Sequence, residues 1–222
     1  MKNKAKRWIG TLLAACLVMA MLPAAAFAAD TGKAIQLVSD GSAGNIGGGQ
    51  ADNVYFGNYY QSDDSTKEPI KWRVLDDKTN TGNEGLFLLS DVLLGSGPRG
   101  DVYFDNFGYK SGAWHGSDAQ TWCQDFYSSN FSTGEQSAVI ATTKSDEAFT
   151  SSTFTYSVPF AASKNILNGD KVFFLSAQEA ENDEYGFTND AARIAYYGDV
   201  AGWWWLRSPY ALNTLGAGVV ND

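Results

Sequence analysis

Apolar and polar residues alternate in the first half of the chain in a way that is typical of half-buried β-strands. Asn53–Tyr60 and Pro69–Asp76 follow this pattern, and Gly85–Ser90 is a short apolar run bounded by turn residues. A loop rich in Asp, Asn, Thr and Gly joins the last two stretches, so we predict that they pair as an antiparallel hairpin. For the stretch before them a flexible linker is the favoured interpretation, with one short strand at Ala34–Val38 as the alternative.

Side-chain caps predict four helices. A Ser, Asp or Asn ahead of a helix can accept a hydrogen bond from the free amides of the first turn. A Glu three positions later completes a capping box. The predicted helices run from Ser117 or Asp118 to Tyr127, from Ser132 to Ala141, from Ser176 to about Tyr185, and from Asn189 or Asp190 to Tyr197.

Three consecutive tryptophans mark the strand around which the second half is organised. Successive side chains of a strand point to opposite faces, so Trp203 and Trp205 share one face with Arg207, and Trp204 lies on the other. Both faces then need cover, which predicts a central strand. The strand should end at Pro209, because proline cannot donate to a sheet ladder.

Two further apolar runs and the composition complete the predicted architecture. Lys171–Ser176 is predicted to be a buried strand, and Ala217–Val220 begins a last strand. Aromatic residues make up 14% of the chain, with 23 glycines, which favours strands and structured loops over a helical bundle. We therefore predict a single α+β domain with a twisted, mostly antiparallel sheet, short helices and long loops.

Two arginines lie inside the tryptophan-containing strands. Arg73 and Arg207 either recognise a carboxylate or phosphate ligand, or stack on indole rings and bond to carbonyls and acids of the fold. Their position within the strands favours the structural role. We expect the tryptophans of the late strand to form a sheet core with Trp72 and Phe173, and Arg207 to act as a polar brace between them.

The N-terminus has the three parts of a secretory signal peptide. Residues 2–7 are basic, residues 8–22 are apolar, and Ala26-Phe27-Ala28 is a cleavage signal. Leu13–Cys16 also resembles a lipoprotein processing site, but the apolar run continues after it. We predict a signal peptide at residues 1–28, a flexible leader at 29–52 and one domain at 53–222. No transmembrane segment is expected after signal removal.

The charge and the cysteines restrict the partners and the compartment. The net charge is −9, and removing the four basic residues of the signal gives 16 − 4 − 25 = −13. Such acidity opposes binding to nucleic acid or to an anionic membrane. Only Cys123 remains after processing, so no internal disulfide is possible. An exported protein without disulfides fits a Gram-positive or anaerobic bacterium.

A long segment without periodicity, residues 91–118, is the predicted binding region. Loops of this length in a compact domain are usually functional or mobile. Aromatic faces with polar rims are typical of surfaces that bind carbohydrate or peptide. The residues predicted to bind the ligand are Tyr103, Tyr109, Trp114 and His115. A core of this size does not obviously need the further aromatic residues Tyr59, Tyr60, Tyr196, Tyr197 and Tyr210.

The same segment offers few groups for metal binding or catalysis. Asp101, Asp105 and Asp118 are candidate calcium ligands, but no calcium-loop motif accompanies them, and a solvated acidic loop is the favoured interpretation. The single histidine, His115, and Cys123 are interpreted as a surface and a core residue. Paired carboxylates for glycoside hydrolysis cannot be selected from sequence. No cofactor is predicted other than a possible calcium ion.

Several short motifs follow one another along the chain: Phe56-Gly57, Tyr59, Gln61, Pro69-Ile70, Trp72-Arg73-Val74-Leu75, Leu88-Leu89-Ser90, Trp122, Phe131-Ser132, Glu135, Val172 to Ser176, Glu179 and Trp204-Trp205-Leu206-Arg207-Ser208-Pro209. In this order and spacing they resemble the DUF6273 family, a bacterial extracellular domain of Gram-positive gut bacteria. The Trp-Trp-Leu-Arg-Ser-Pro block is the most specific of them, and the element order is also similar to the C-type-lectin-like fold of formylglycine-generating enzymes. The residues predicted to be structural are Trp72, Arg73, Trp203, Trp204, Trp205, Arg207, Ser208 and Pro209.

The chain departs from the family's pattern at two places. Tyr210 stands where the family has a small residue, and the chain stops near Asp222, before the family's final strand. We therefore expect a truncated domain with that strand missing. Formylglycine-generating chemistry requires two cysteines for copper, and the mature chain has one.

From these observations we predict a secreted or cell-surface, non-catalytic binding module. Its ligand would be a glycan or a surface protein, bound by the aromatic segment. A secreted hydrolase that uses loop carboxylates, or a structural fragment of a larger surface protein, are the alternatives.

Overall fold

The computed structural model describes residues 36–38, 53–61, 65–76, 85–94, 104, 113–146, 162–209 and 217–220. These residues form an α+β arrangement of antiparallel strand pairs with a few short helices, as predicted. None of the helices described is long and apolar enough to cross a membrane.

The largest sheet has four antiparallel strands in the order β1-β2-β3-β4. The hairpin predicted from the alternating stretches is confirmed, since β3 and β4 pair with Arg73 opposite Leu89. Gln36–Val38 form the short strand that was the less favoured alternative to a flexible linker. The strands are β1 Gln36–Val38, β2 Asn53–Tyr59, β3 Glu68–Asp76 and β4 Phe87–Ser90.

A glycine bulge in β2 fixes how the helical layer meets this sheet. Gly57 has a φ of 71°, and a Cβ there would lie 2.7 Å from Cε1 of Phe131. The Gly57 amide donates to the Glu135 carboxylate over 2.8 Å. Only glycine fits both the left-handed backbone and this close approach.

The predicted caps are all present, but the helix ends differ from the prediction. Ser117 caps α1, and the Ser132 and Ser176 capping boxes open α2 and α3. The first helix extends past its predicted end at Tyr127 to Asn130, whereas the helices after Ser132 and Ser176 end earlier than predicted. The helices are α1 Asp118–Asn130, α2 Thr133–Ala138 and α3 Ala177–Ala180, followed by 3-10 turns at Asp183–Tyr185 and Asp190–Arg193; a further 3-10 turn covers Ala162–Lys164.

The remaining strands form three separate antiparallel pairs, β5 with β6, β7 with β8, and β9 with β10. The strand β7 replaces the end of the helix predicted to reach Tyr197. The pairs are β5 Thr142–Lys144 and β6 Leu167–Asp170, β7 Ala195–Tyr197 and β8 Val200–Gly202, and β9 Trp204–Pro209 and β10 Ala217–Val220.

Two predictions about the second half are wrong. Residues 171–176 are not a strand, because their backbone joins no ladder with the described residues; the Leu175 carbonyl accepts a bond from the Arg207 amide over 2.8 Å. The tryptophan strand β9 is not central, since its ladder partner is β10 alone among the described strands.

The tryptophans pack differently from the prediction. Trp205 lies 6.1 Å from Phe104, centroid to centroid, while Trp203 is 47% exposed. Trp72 belongs to another cluster, where it stacks on Phe131. Trp205 and Trp72 therefore belong to different parts of the core, because β9 does not join the four-stranded sheet.

Candidate binding groove

A groove of about 500 Å³ runs between β4 and the segment 171–175. Most of the side chains that line it are apolar. Its volume lies in the range of ordinary ligand sites. We call this space the binding groove.

Apolar side chains line the binding groove on both faces of the sheet. Leu88 and Val172 pack towards α1, against the cluster that includes Phe126. On the opposite face, Phe87 stacks on Phe173 with ring centroids 6.1 Å apart. The groove therefore passes between two apolar layers.

Segment 171–175 alternates as a strand does, although it lacks a ladder. Phe174 contacts the rings of Trp114 and Trp122 on the α1 face, whereas Leu175 belongs to the cluster that includes Tyr185. The apolar pattern that predicted a strand reflects this two-sided burial. What is missing is a backbone partner on the β4 side.

The charged groups at the groove are mostly cationic. Arg73 lies over the ring of Phe187, 5.8 Å from its centroid, and the described residues offer it no carboxylate partner. Lys171 donates to the Tyr127 hydroxyl over 2.8 Å. The lining acid Asp91 forms an ion pair with Lys71, whose Nζ lies 3.4 Å from the Asp91 Oδ2 atom. This pair offsets the negative charge of Asp91. The groove thus carries positive charge in an acidic protein.

A buried ionic network lies beyond segment 171–175, centred on Arg207, which is fully buried. Its Nη1 and Nη2 donate to the two carboxylate oxygens of Glu179, and Nη2 also donates to Asp146. The Nε group donates to the Asn165 carbonyl, and Nη1 to the Phe174 carbonyl. Lys144 forms ion pairs with both carboxylates.

Arg207 has no donor left for a ligand. A guanidinium has five N–H donors, and the protein's own acceptors take five hydrogen bonds from Arg207. Burial alone would raise the pKa of Glu179, but Arg207 and then Lys144 outweigh it and lower the pKa to about 2. Arg207 is therefore the polar brace that its place in the strand predicted.

The same network fastens α3 to β9. Glu179 accepts from the Ser176 amide in the capping box, over 2.8 Å. The Ser208 hydroxyl accepts from the Ala177 amide, also over 2.8 Å. In the described chain, the Asn165 Oδ1 atom is the buried side-chain atom without a partner.

Trp114, a predicted ligand-binding residue, is fully buried, which corrects the expectation of an exposed ring. Its Nε1 donates to Asp170 over 3.1 Å, and Gln120 donates to the same oxygen over 2.7 Å. Cys123 lies in the same cluster, where burial, and secondarily Asp170, raises its pKa. A protonated, buried thiol is a poor nucleophile.

The other predicted site residues remain predictions. Tyr103, Tyr109, Asp101 and Asp105 lie outside the described residues. His115 is exposed in a turn beside the start of α1. No group of three or more His, Cys, Asp or Glu side chains suited to a metal is found in the part of the chain that the structure describes.

Among the described residues, the exposed aromatic side chains are Tyr196 in β7 and Trp203, which lies between β8 and β9. Tyr196 pairs with Ala201, so continuing the alternation places Tyr196 and Trp203 on one face. Tyr196 is 45% exposed and Trp203 47%. Trp203 meets Trp205 at a right angle, with centroids 5.3 Å apart.

Sequence reasoning did not find the binding groove. The signal was present in two short apolar runs, Gly85–Ser90 and Lys171–Ser176, each of which predicted a strand buried on both faces. Nothing in either run indicates that the two stand side by side without pairing.

Comparison with known proteins gives one match. No curated protein and no solved structure matches the chain. Residues 83–221 match the family described as "Domain of unknown function (DUF6273)", and this match includes β4, segment 171–175 and the Arg207 network. Because the matched residues make up more than half of the 222-residue chain, the protein belongs to the DUF6273 family.

Proposed function

We propose that this protein is an exported, non-catalytic binding module of a Gram-positive bacterium and that it binds a segment of another protein in the binding groove. The observation that carries the proposal is the groove itself, an apolar space of about 500 Å³. Large apolar pockets are the default candidates for binding sites. The signal-peptide pattern and the acidic surface support export. The short helices and antiparallel strands fit a C-type-lectin-like architecture.

The chemistry of the groove favours binding over catalysis. Its carboxylate, Asp91, is ion-paired, and the pKa of the lining thiol Cys123 is raised by burial. Neither is poised as a base or nucleophile at neutral pH. This favours the binding module over the hydrolase alternative.

A peptide library displayed on phage and selected on the purified protein tests the proposal. Leu86 and Ile140 line the groove with 38% and 37% of their surface exposed, so lysine is tolerated there without unfolding. We expect selected peptides to lose about tenfold or more in affinity on the variant Leu86→Lys with Ile140→Lys, because a charge enters an apolar site. The matched control is Val200→Lys, at a 71% exposed position outside the groove.

Two outcomes would overturn the proposal. The first is a selection that enriches no peptide on the wild-type protein. The second is a set of peptides that bind the double variant as tightly as they bind the wild type.

A glycan ligand is the second candidate, favoured by the exposed face of Tyr196 and Trp203. Aromatic rings of this kind stack on sugar rings. On a glycan array, binding that disappears in Trp203→Ala but survives the double lysine variant would assign the glycan to this face. An array without any bound glycan would eliminate it.

A further inference from the structure

The backbone at the edge of β4 is arranged to receive another strand. The Asp91 amide donates to the Lys71 carbonyl over 3.0 Å, which continues the β3–β4 ladder. In that register Leu89 also points its backbone towards β3. Hydrogen bonding alternates along an antiparallel strand, so the N–H and C=O groups of Leu88 and Ser90 point the other way.

These outward groups have no partner in the described chain. β4 is the last strand of its sheet, and no backbone bond reaches Leu88 or Ser90 from the groove side. Both residues line the groove and are half-buried. Unpaired backbone groups in such a place invite a further strand, because burying them without a partner costs free energy.

The far wall fits the same role. Segment 171–175 is bonded towards β9 through Leu175 and faces β4 across the groove. An inserted strand would send alternate side chains into the two apolar layers, one containing Leu88 and Val172, the other Phe87 and Phe173. A strand of four to five residues spans roughly 13–17 Å, about the length of β4.

The charges select the chemistry of this strand. Arg73 lines the groove with no carboxylate partner among the described residues, and Lys171 is bonded only to a tyrosine there. Placing two such cations beside an apolar path favours a ligand that carries an acidic residue. A second copy of this chain would instead bring two cationic grooves together.

We propose that the binding groove accepts an extended, apolar peptide segment with an acidic side chain from another protein, which pairs with Leu88 and Ser90 as a fifth strand and places its carboxylate at Arg73. This inference rests on the proposed function and specifies the partner and its mode of binding. Main-chain hydrogen bonds would supply affinity, and the two apolar layers with Arg73 would supply selectivity.

Three synthetic six-residue peptides test the proposal on the whole purified protein. The parent carries apolar β-branched residues at every position except one, which is a glutamate. The second replaces glutamate by glutamine, and the third keeps every side chain but carries N-methyl groups on alternate backbone nitrogens. Affinity is measured by calorimetry, and amide hydrogen exchange is followed at Leu88 and Ser90, with Val54 in β2 as reference.

We expect the N-methylated peptide to bind about tenfold or more weakly than the parent, since backbone hydrogen bonds are lost. Exchange at Leu88 and Ser90 should slow on binding, with Val54 unchanged. The glutamine peptide should bind several-fold more weakly than the parent, and Arg73→Gln should abolish that difference.

Other results overturn the proposal in distinguishable ways. Equal binding of parent and N-methylated peptides, with exchange at Leu88 and Ser90 unchanged but binding lost in Ile140→Lys, would reject strand insertion and keep the groove as a site. If all three peptides fail to bind while library-selected peptides bind at the groove, the extended acidic strand is rejected as the ligand. The groove then remains a binding site. Protection of Leu88 and Ser90 without peptide would show that the chain or a second copy fills the position, and its dependence on protein concentration separates these two.

Discussion

The Arg207 network and the binding groove lie on opposite sides of segment 171–175. They differ in whether their polar groups have hydrogen-bond partners within the described chain. In the network, Arg207 is fully buried and all its donors are used within the protein. In the groove, the outward backbone of Leu88 and Ser90 has no partner in the described chain. A fully satisfied buried network stabilises one conformation, whereas an unsatisfied edge favours recognition.

The two regions are also mechanically linked. Arg207 donates from its side chain to the Phe174 carbonyl and from its backbone to the Leu175 carbonyl. Both acceptors belong to the far wall of the groove. The network therefore holds that wall in place, so that a ligand need not order it on binding.

Replacing Arg207 gives the largest expected effect. Arg207→Met leaves Glu179 and Asp146 buried without their main partner, and we expect a loss of about 3–5 kcal/mol in the free energy of unfolding. Arg73→Met, the matched change at the groove, should cost about 1 kcal/mol or less, because it removes only a cation–ring contact. Denaturant unfolding measures both. Equal losses would contradict the distinction between the two arginines.

Acid should remove the stabilisation that the Arg207 network gives to the folded protein. The folded-state pKa of Glu179 is lowered from 4.5 to about 2. The ionised Glu179 carboxylate therefore contributes about 3 kcal/mol to the free energy of unfolding. This stabilisation is fully present above the unfolded pKa and is lost as the pH falls through the folded pKa, over a range of about pH 5 to 2. Glu179→Gln should be less stable than wild type at neutral pH, with the gap closing towards pH 2. A gap that stays constant with pH would refute this assignment.

Two leucines give the smallest contrast. Leu206 is fully buried beside Arg207, so Leu206→Ala should cost roughly 2–5 kcal/mol. Leu89 is half-buried at the groove, where truncation enlarges a space that already exists, so Leu89→Ala should cost about 1 kcal/mol. Thermal and denaturant unfolding of the pair measure the difference. Should Leu89→Ala prove as costly as Leu206→Ala, the groove would be closed in solution.

Features fixed by neighbouring residues could be predicted from the sequence. The β3–β4 hairpin follows from alternation and a polar loop, and the capping boxes at Ser132 and Ser176 follow from spacing alone. Arg207 is identifiable as a brace because a charged residue that follows three tryptophans in a buried strand needs internal partners. Each inference needs only a few residues of chain.

Features that depend on distant contacts could not. The sequence places Trp114 on a binding surface, but Asp170, far along the chain, gives its indole nitrogen a buried partner. The helices after Ser132 and Ser176 end early because packing, not the cap, decides their length. The acids that bind Arg207 were hidden among 25 candidates.

By itself the sequence determined the family, the strand-forming runs, the caps and the need of Arg207 for internal partners, because each is encoded in local order and spacing. Only the tertiary structure decided that β4 and segment 171–175 face each other without pairing. Apolar alternation specifies that a segment is buried on both faces, but it does not specify which backbone lies beside it. Which backbone lies beside a strand is decided by the fold of the whole chain. Beside β4, the space in which a neighbouring strand would lie is the binding groove.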